Sequence, residues 1–163
     1  MDIDNRNKPV ISAEGLRKLE QELLHYKTVK RKEIAEQIKQ AISFGDLSEN
    51  AEYDEAKNEQ SRIEGHISYL ENTIRTAVVI EAADVSTEIV GVGSIVCVLD
   101  THTGVESEYR IVGETEADPL EDKISNESPV GAALMNQRRG ANVSFSVPDG
   151  LRTLQIVDIR RGI

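Results

Sequence analysis

Tryptophan is missing from this 163-residue chain, and aromatic side chains are scarce: four tyrosines and two phenylalanines. Residues 81–163 hold only Tyr109 and Phe145, too few for an aromatic-lined pocket. Cysteine occurs once, as Cys97, so no internal disulfide can form and no oxidising compartment is needed. Positive charge is the scarcer sign. Nineteen Lys and Arg face 29 Asp and Glu, a net charge of -10. That balance excludes coating nucleic acid by broad phosphate neutralisation. No apolar run approaches the ~18 residues of a membrane span. Residues 1–10 lack the apolar core of a signal peptide. A cytoplasmic protein without a membrane partner is expected, with one domain or two small ones.

Glycine and proline are also absent between Arg17 and Phe44. Ser12 is a suitable N-cap, and Glu14 falls in the first turn, where a carboxylate suits the helix dipole. Leu16, Leu19, Leu23 and Tyr26 step as a coiled-coil seam, and Lys30 continues the register. Ile34, Ile38 and Ile42 then step by four, so the stripe drifts around the helix. One helix is expected from about Ala13 to Ser43, after a short unfixed arm over residues 1–11. Gly45 ends it as a left-handed C-cap. A second helix restarts near Leu47 to Glu49. Its seam is Ala56, Gln60, Ile63, Ile67, Leu70, Ile74 and Ala77, and it stops where Val78-Val79-Ile80 turns β-branched. Two such helices joined by a few residues lie antiparallel, seam to seam.

Beyond residue 80 the helical period vanishes. Strands are expected at Ser94–Leu99, Glu106–Val112, Ala141–Val147 and Arg152–Ile159, separated by Gly, Pro and Asp turn signals. One short helix fits Pro129 to Asn136, with proline in its first turn. The fold class is therefore α+β: a coiled-coil hairpin over 1–80, its tip at about 43–50, then a small antiparallel sheet domain over 81–163.

The tip is acidic. Six carboxylates and one lysine lie between Asp46 and Glu59. Asp46 and Glu49 have the spacing of a capping box. The same spacing puts both on one helix face, ~5–6 Å apart, where they could address one cation. Mg²⁺ wants about six oxygens, so two exposed carboxylates need another molecule to supply the rest. An acid–base hydrolase is disfavoured, since it needs a cleft that desolvates one carboxyl. Phe44 and Leu47 fit an apolar plug, and Tyr53 a packing position. Lys27, Lys30, Arg31 and Lys32 form a basic cluster, either a solvated face with partners such as Glu36 or a docking strip for an acidic surface. His25, His66 and His102 lack metal-ligand spacing. Cys97, between Val96 and Val98, reads as a buried inert thiol. Ser125 to Pro129 reads as a capped turn into a helix.

The run Gly45-Asp46-Leu47-Ser48-Glu49-Asn50-Ala51-Glu52-Tyr53 closely resembles the tip motif of the bacterial Gre-type transcription elongation factors, the transcript cleavage factors. The likeness continues through Ala56, Gln60, Glu64-Gly65 and Leu70-Glu71. It returns at Tyr109 to Gly113, Glu116 to Asp118, and Ile124 through Leu134. It spans about residues 12–160 in order. The resemblance implies a coiled-coil hairpin joined to an FKBP-like domain. It implies a monomer that is no enzyme itself and has no cofactor of its own. Such a factor enters the secondary channel of RNA polymerase and stimulates the polymerase's own cleavage of backtracked RNA. On this resemblance Asp46 and Glu49, with Ser48 beside them, help hold the second catalytic Mg²⁺ of the polymerase. Tyr53 and Lys57 face the RNA 3′ end. Glu127, Ser128 and Pro129 dock on the polymerase rim. Ile42 departs from the pattern, because family members often carry a basic residue there. With Lys57 and nearby Lys39 remaining, a weaker grip on long backtracked RNA is expected, and cleavage is retained. A channel-blocking factor and a prolyl isomerase are the competing expectations; the paired acids disfavour the first and the missing aromatics the second.

Overall fold

The computed structural model describes residues 8–43, 45 and 50–163. The expectations for Phe44, Asp46, Leu47, Ser48 and Glu49 concern positions outside the described residues, as residues 1–7 also are. The chain divides into two compact units, one of Leu16–Thr76 and one of residues 8–15 with Ala77–Ile163.

The first unit is the helical hairpin. Its first arm runs through α1 (Ala13–His25), a π turn over Tyr26–Lys30, and α2 (Arg31–Ser43). Its second arm is α3 (Ala51–Thr76). The π turn answers the drift in the seam. Leu19, Leu23 and Tyr26 keep heptad steps, but the next two steps, to Ile34, take eight residues where a heptad takes seven. The under-wound turn absorbs the surplus residue: the Arg31 N–H reaches back five residues to the Tyr26 carbonyl. In the same stretch the Thr28 hydroxyl donates to the Leu24 carbonyl at 2.7 Å. The buried stripe then resumes at Ile34, Ile38 and Ala41. Ile42, expected on the seam, is half exposed at 50%, because the corrected register gives the position to Ala41.

Opposite it, Ala56, Ile63, Ile67 and Leu70 are buried, as is Thr73. Ile34, Ala56, Ile63 and Ile67 form one cluster, edged by Leu23, Tyr26 and Ile38. Two ion pairs and a histidine–carboxylate contact lace the arms together outside this cluster. Arg31 meets Glu64 with two bonds of 2.7 Å, Lys27 meets Glu71, and His66 Nε2 lies 2.7 Å from Glu22. The His66 ring also packs on Tyr26, centroids 4.4 Å apart. The basic cluster is thus largely spent within the hairpin: Lys27 and Arg31 cross to the other arm, and Lys30 pairs with Glu33.

The second unit is α+β. A five-stranded sheet has the order β5-β4-β3-β7-β6, built from β3 (Ser94–Asp100), β4 (Glu106–Val112), β5 (Lys123–Ser125), β6 (Asn142–Val147) and β7 (Gly150–Arg161). Four of these strands were legible as antiparallel neighbours; the short β5 joins β4 in parallel and makes the sheet mixed. The helix α4 (Pro129–Leu134) contributes Leu134 to a core with Val96, Val98, Ile111, Phe145 and Ile156. Fully burying each of these side chains contributes ~1.5–3 kcal/mol.

A separate two-stranded parallel sheet joins β1 (Val10–Ser12) to β2 (Val78–Ile80). Residues 10 and 11, expected in an unfixed arm, are thereby ordered beside the N-cap Ser12, with Ile11 completely buried. Both strands group with the sheet unit, although the sequence reading placed them in the 1–80 segment. Cys97 is a second correction. Strand alternation turns Val96 and Val98 inward and Cys97 to the other face, where it is half-buried. Its sulfur lies 3.5 Å from a Glu108 oxygen and 3.4 Å from the Arg160 guanidinium.

Candidate functional site

An α-helix ends with four carbonyls that have no partner in the helix and begins with four such N–H groups. At the hairpin end several of these groups have named partners. The Gln40 carbonyl accepts from the Ser43 hydroxyl at 2.6 Å, and the Ile42 carbonyl accepts from the Gly45 N–H at 3.3 Å. Gly45 has φ +103°, which side chains rarely adopt, with no neighbour within 4 Å of an added Cβ. The expected C-cap glycine is in place.

The start of α3 is capped by Asn50. Its Oδ1 accepts from the Tyr53 N–H at 3.1 Å, and its own carbonyl accepts from the Asp54 N–H at 3.2 Å. The sequence reading put the restart near Leu47 to Glu49 and offered Asp46 and Glu49 as its capping box. The cap found on α3 is Asn50, four residues beyond Asp46. Asparagine is as good an N-cap as aspartate, and its place just before the helical run Ala51-Glu52-Tyr53 was the available signal. Asp46, Ser48 and Glu49 lie outside the described residues.

Below the turn, Ala41 and Ala56 are both small and buried. They floor an open groove of about 370 Å³, rimmed by Gln37, Gln40, Glu52 and Glu55. The groove is acidic, and Glu59 there is held at 2.8 Å by Arg62. Tyr53 is half-buried, and Lys57 Nζ donates to Gln60 Oε1 at 2.8 Å, so both sit on the first turns of α3. Among the described residues no group of three or more His, Cys, Asp or Glu is arranged to hold a metal ion.

Among the described residues, Arg160 is raised by Cys97 and Glu108 beside it, and two further pairs have clear electrostatic signatures. Arg31 holds Glu64 below the usual carboxylate range, and Glu64 raises Arg31 in return. Asp100 is pulled down to about 2 by the Arg152 guanidinium and by the His102 and Thr103 N–H groups. The first ties the hairpin arms and the second closes the β3–β4 turn, so neither marks a reactive group.

In the sheet unit, Glu127, Ser128 and Pro129 stand at the start of α4. The Ser128 hydroxyl accepts from the Gly131 N–H at 3.0 Å and donates to the Ser125 carbonyl at 2.7 Å. Pro129 takes the first helical position. Glu127 and Pro129 are exposed, while Ser128 is partly buried by its capping role.

The chain matches two family models along most of its length. "Transcription elongation factor, N-terminal" covers residues 9–79, and "Transcription elongation factor, GreA/GreB, C-term" covers residues 85–161. Among curated relatives, transcription elongation factor GreA of Acetivibrio thermocellus is 58% identical over 152 residues, covering 93% of this chain and 96% of that protein. GreA of Clostridium perfringens is 54% identical over 157 residues, covering 96% and 99%. Among solved structures, GreA factor homolog 1 of Thermus thermophilus is 29% identical with a TM-score of 0.43, covering 94% of this chain and 99% of that one. A GreA/GreB factor from Nitrosomonas europaea is 19% identical with a TM-score of 0.42, covering 94% and 98%.

Proposed function

The chain belongs to the GreA/GreB family of transcription elongation factors, and we propose that it inserts the hairpin end into the secondary channel of RNA polymerase and stimulates the polymerase's own cleavage of backtracked RNA. The observation that carries this reading is the pairing of family with build. Family matches cover both halves, and the sequence between the two helical arms, α2 ending at Ser43 and α3 starting at Ala51, carries two acids, Asp46 and Glu49. Its first arm, Ala13 to Ser43, is about 45 Å long at a helical rise of ~1.5 Å per residue.

The chemistry asked of the tip is small. Two-metal phosphoryl chemistry needs both ions clamped around the attacking and leaving oxygens. The residues that would help hold the second ion are Asp46 and Glu49, whose carboxylates are hard oxygen donors of the kind Mg²⁺ takes. Two such donors are too few for a resident site, so the ion belongs to the polymerase and its remaining ligands come from there. When bound, that Mg²⁺ supplies Lewis-acid stabilisation of charge on phosphate oxygens. The role of this chain is delivery. Ser48 stands beside the acids, Tyr53 and Lys57 face the RNA 3′ end from the first turns of α3, and Glu127 to Pro129 dock on the rim. The factor acts as a monomer in the cytoplasm and has no catalytic activity alone.

The test is a stalled, backtracked polymerase complex mixed with this protein. RNA shortened from its 3′ end is expected, and Asp46→Ala should abolish shortening while polymerase binding is kept. Binding without shortening by the wild type would overturn the reading in favour of channel blocking.

A further inference from the structure

We propose that Asn50 is the positioning residue of the tip: its side-chain amide ties together the two ends of the turn that carries Asp46 and Glu49. The inference rests on the cleavage-stimulating reading above and adds a residue to it.

The argument is an accounting of hydrogen bonds. Of the last carbonyls of α2, Gln40 and Ile42 are served from within three residues, by Ser43 and Gly45. Those bonds close the helix end and nothing more. The Ala41 carbonyl is served from nine residues away, by Asn50 Nδ2 at 2.7 Å. That bond joins the exit of α2 to the entry of α3. It lies beside the buried Ala41, where water competes poorly for the carbonyl. The same side chain accepts from the Tyr53 N–H through Oδ1. With both ends of the amide used, its rotamer and the spacing of the two arms are held at once.

Only an amide does both jobs from this short stem. Serine and aspartate cap a helix as well as asparagine. Serine is one atom too short to span the gap, and an ionised aspartate has no donor for the Ala41 carbonyl. The residues between the two anchors, 42–49, include both tip acids. Fixing both anchors restricts where those acids can go. A displacement of about 1 Å in a catalytic group can lower a rate on the order of a hundredfold.

Asn50→Ser separates the two bonds, because it keeps the cap and drops the tie. The experiment uses the full-length chain on a backtracked polymerase complex, titrated with the factor and with Mg²⁺. The expected result for Asn50→Ser is a cleavage rate at saturating factor lowered on the order of ten- to a hundredfold. The half-saturating factor concentration should be unchanged, and more Mg²⁺ should be needed to recover the rate. Circular dichroism should show wild-type helix content, which separates positioning from folding. Asn50→Ala, lacking cap and tie, should lose the same rate and some helix stability as well. A wild-type rate in Asn50→Ser would overturn the proposal and leave the cleavage reading standing. A loss seen only as weaker polymerase binding would also overturn it. Failure of the wild type to cleave would overturn both.

Discussion

Glu116 grips Ser12 at two points: its carboxylate accepts the Ser12 N–H at 2.9 Å and the Ser12 hydroxyl at 2.5 Å. Ser12 Oγ in turn accepts from the Gly15 N–H at 3.0 Å, which caps α1. An ionised acceptor makes the first two bonds the stronger kind. Glu116→Ala should therefore destabilise the fold by ~1.5–3 kcal/mol, read from urea unfolding. Gly15 makes this grip possible, since a Cβ there would stand 2.4 Å from the Glu116 carboxyl carbon. Gly15→Ala should be destabilising in the wild type. In the Glu116→Ala background it should turn neutral or stabilising, by up to ~1 kcal/mol from helix propensity. Additive effects in the double mutant would contradict the contact.

Asp100 makes acid stability a readable property of the second unit. Its carboxyl is held at about 2, against an ordinary 3.8, chiefly by Arg152. The unfolded chain takes up the proton first as pH falls. The stabilisation is therefore complete above about pH 4 and is lost progressively towards about pH 2. Asp100→Asn should lower stability near neutrality and flatten the dependence between these limits. A pH series of thermal melts on both proteins checks it.

The Arg31–Glu64 pair joins the hairpin arms at an exposed position, with side chains 44% and 48% accessible. Its contribution should be small and should shrink as salt rises. Replacing both by alanine should lower the hairpin's melting temperature at low salt, and the difference should fade near 1 M salt. A difference that persists there would mean the aliphatic stems matter more than the charges.

Ile42 is half exposed, so a polar replacement there leaves the buried stripe alone. Ile42→Lys should fold as the wild type does. On the proposed reading it should speed cleavage of deeply backtracked complexes more than shallow ones, by adding a cation near the RNA. Cleavage rates on complexes stalled at set depths measure it; an equal effect at all depths would argue against an RNA contact.

Much of this architecture could be read from residue spacing. The seams of Leu19 to Tyr26 and of Ala56 to Leu70 are long enough for helical periodicity to stand out, and β3, β4, β6 and β7 carry alternation and turn signals. The three-residue strands β1, β2 and β5 were not legible, because a strand that short shows no period and exists only through its partner. Asn50 was overlooked for a different reason. Two nearby acids fitted a capping motif by spacing, and spacing alone does not tell which good cap residue the chain uses. Cys97 was misread because a run of apolar neighbours suggested burial on both sides, whereas the sheet buries one face. The role expected of Asp46 and Glu49 rests on resemblance to a family, since by spacing alone a pair of carboxylates three apart reads as a cap before it reads as a ligand.

The π turn over Tyr26–Lys30 has a consequence for chain length. A helix normally answers the loss of one residue by swinging everything beyond it through about 100°. Here the deletion of Thr28 would remove the surplus, let an ordinary α turn form, and restore an unbroken heptad from Leu19 to Ala41. The far end of the rod would keep its facing. One residue shorter elsewhere in this arm, α2 would turn Ile34 and Ala41 away from the partner helix instead of towards it.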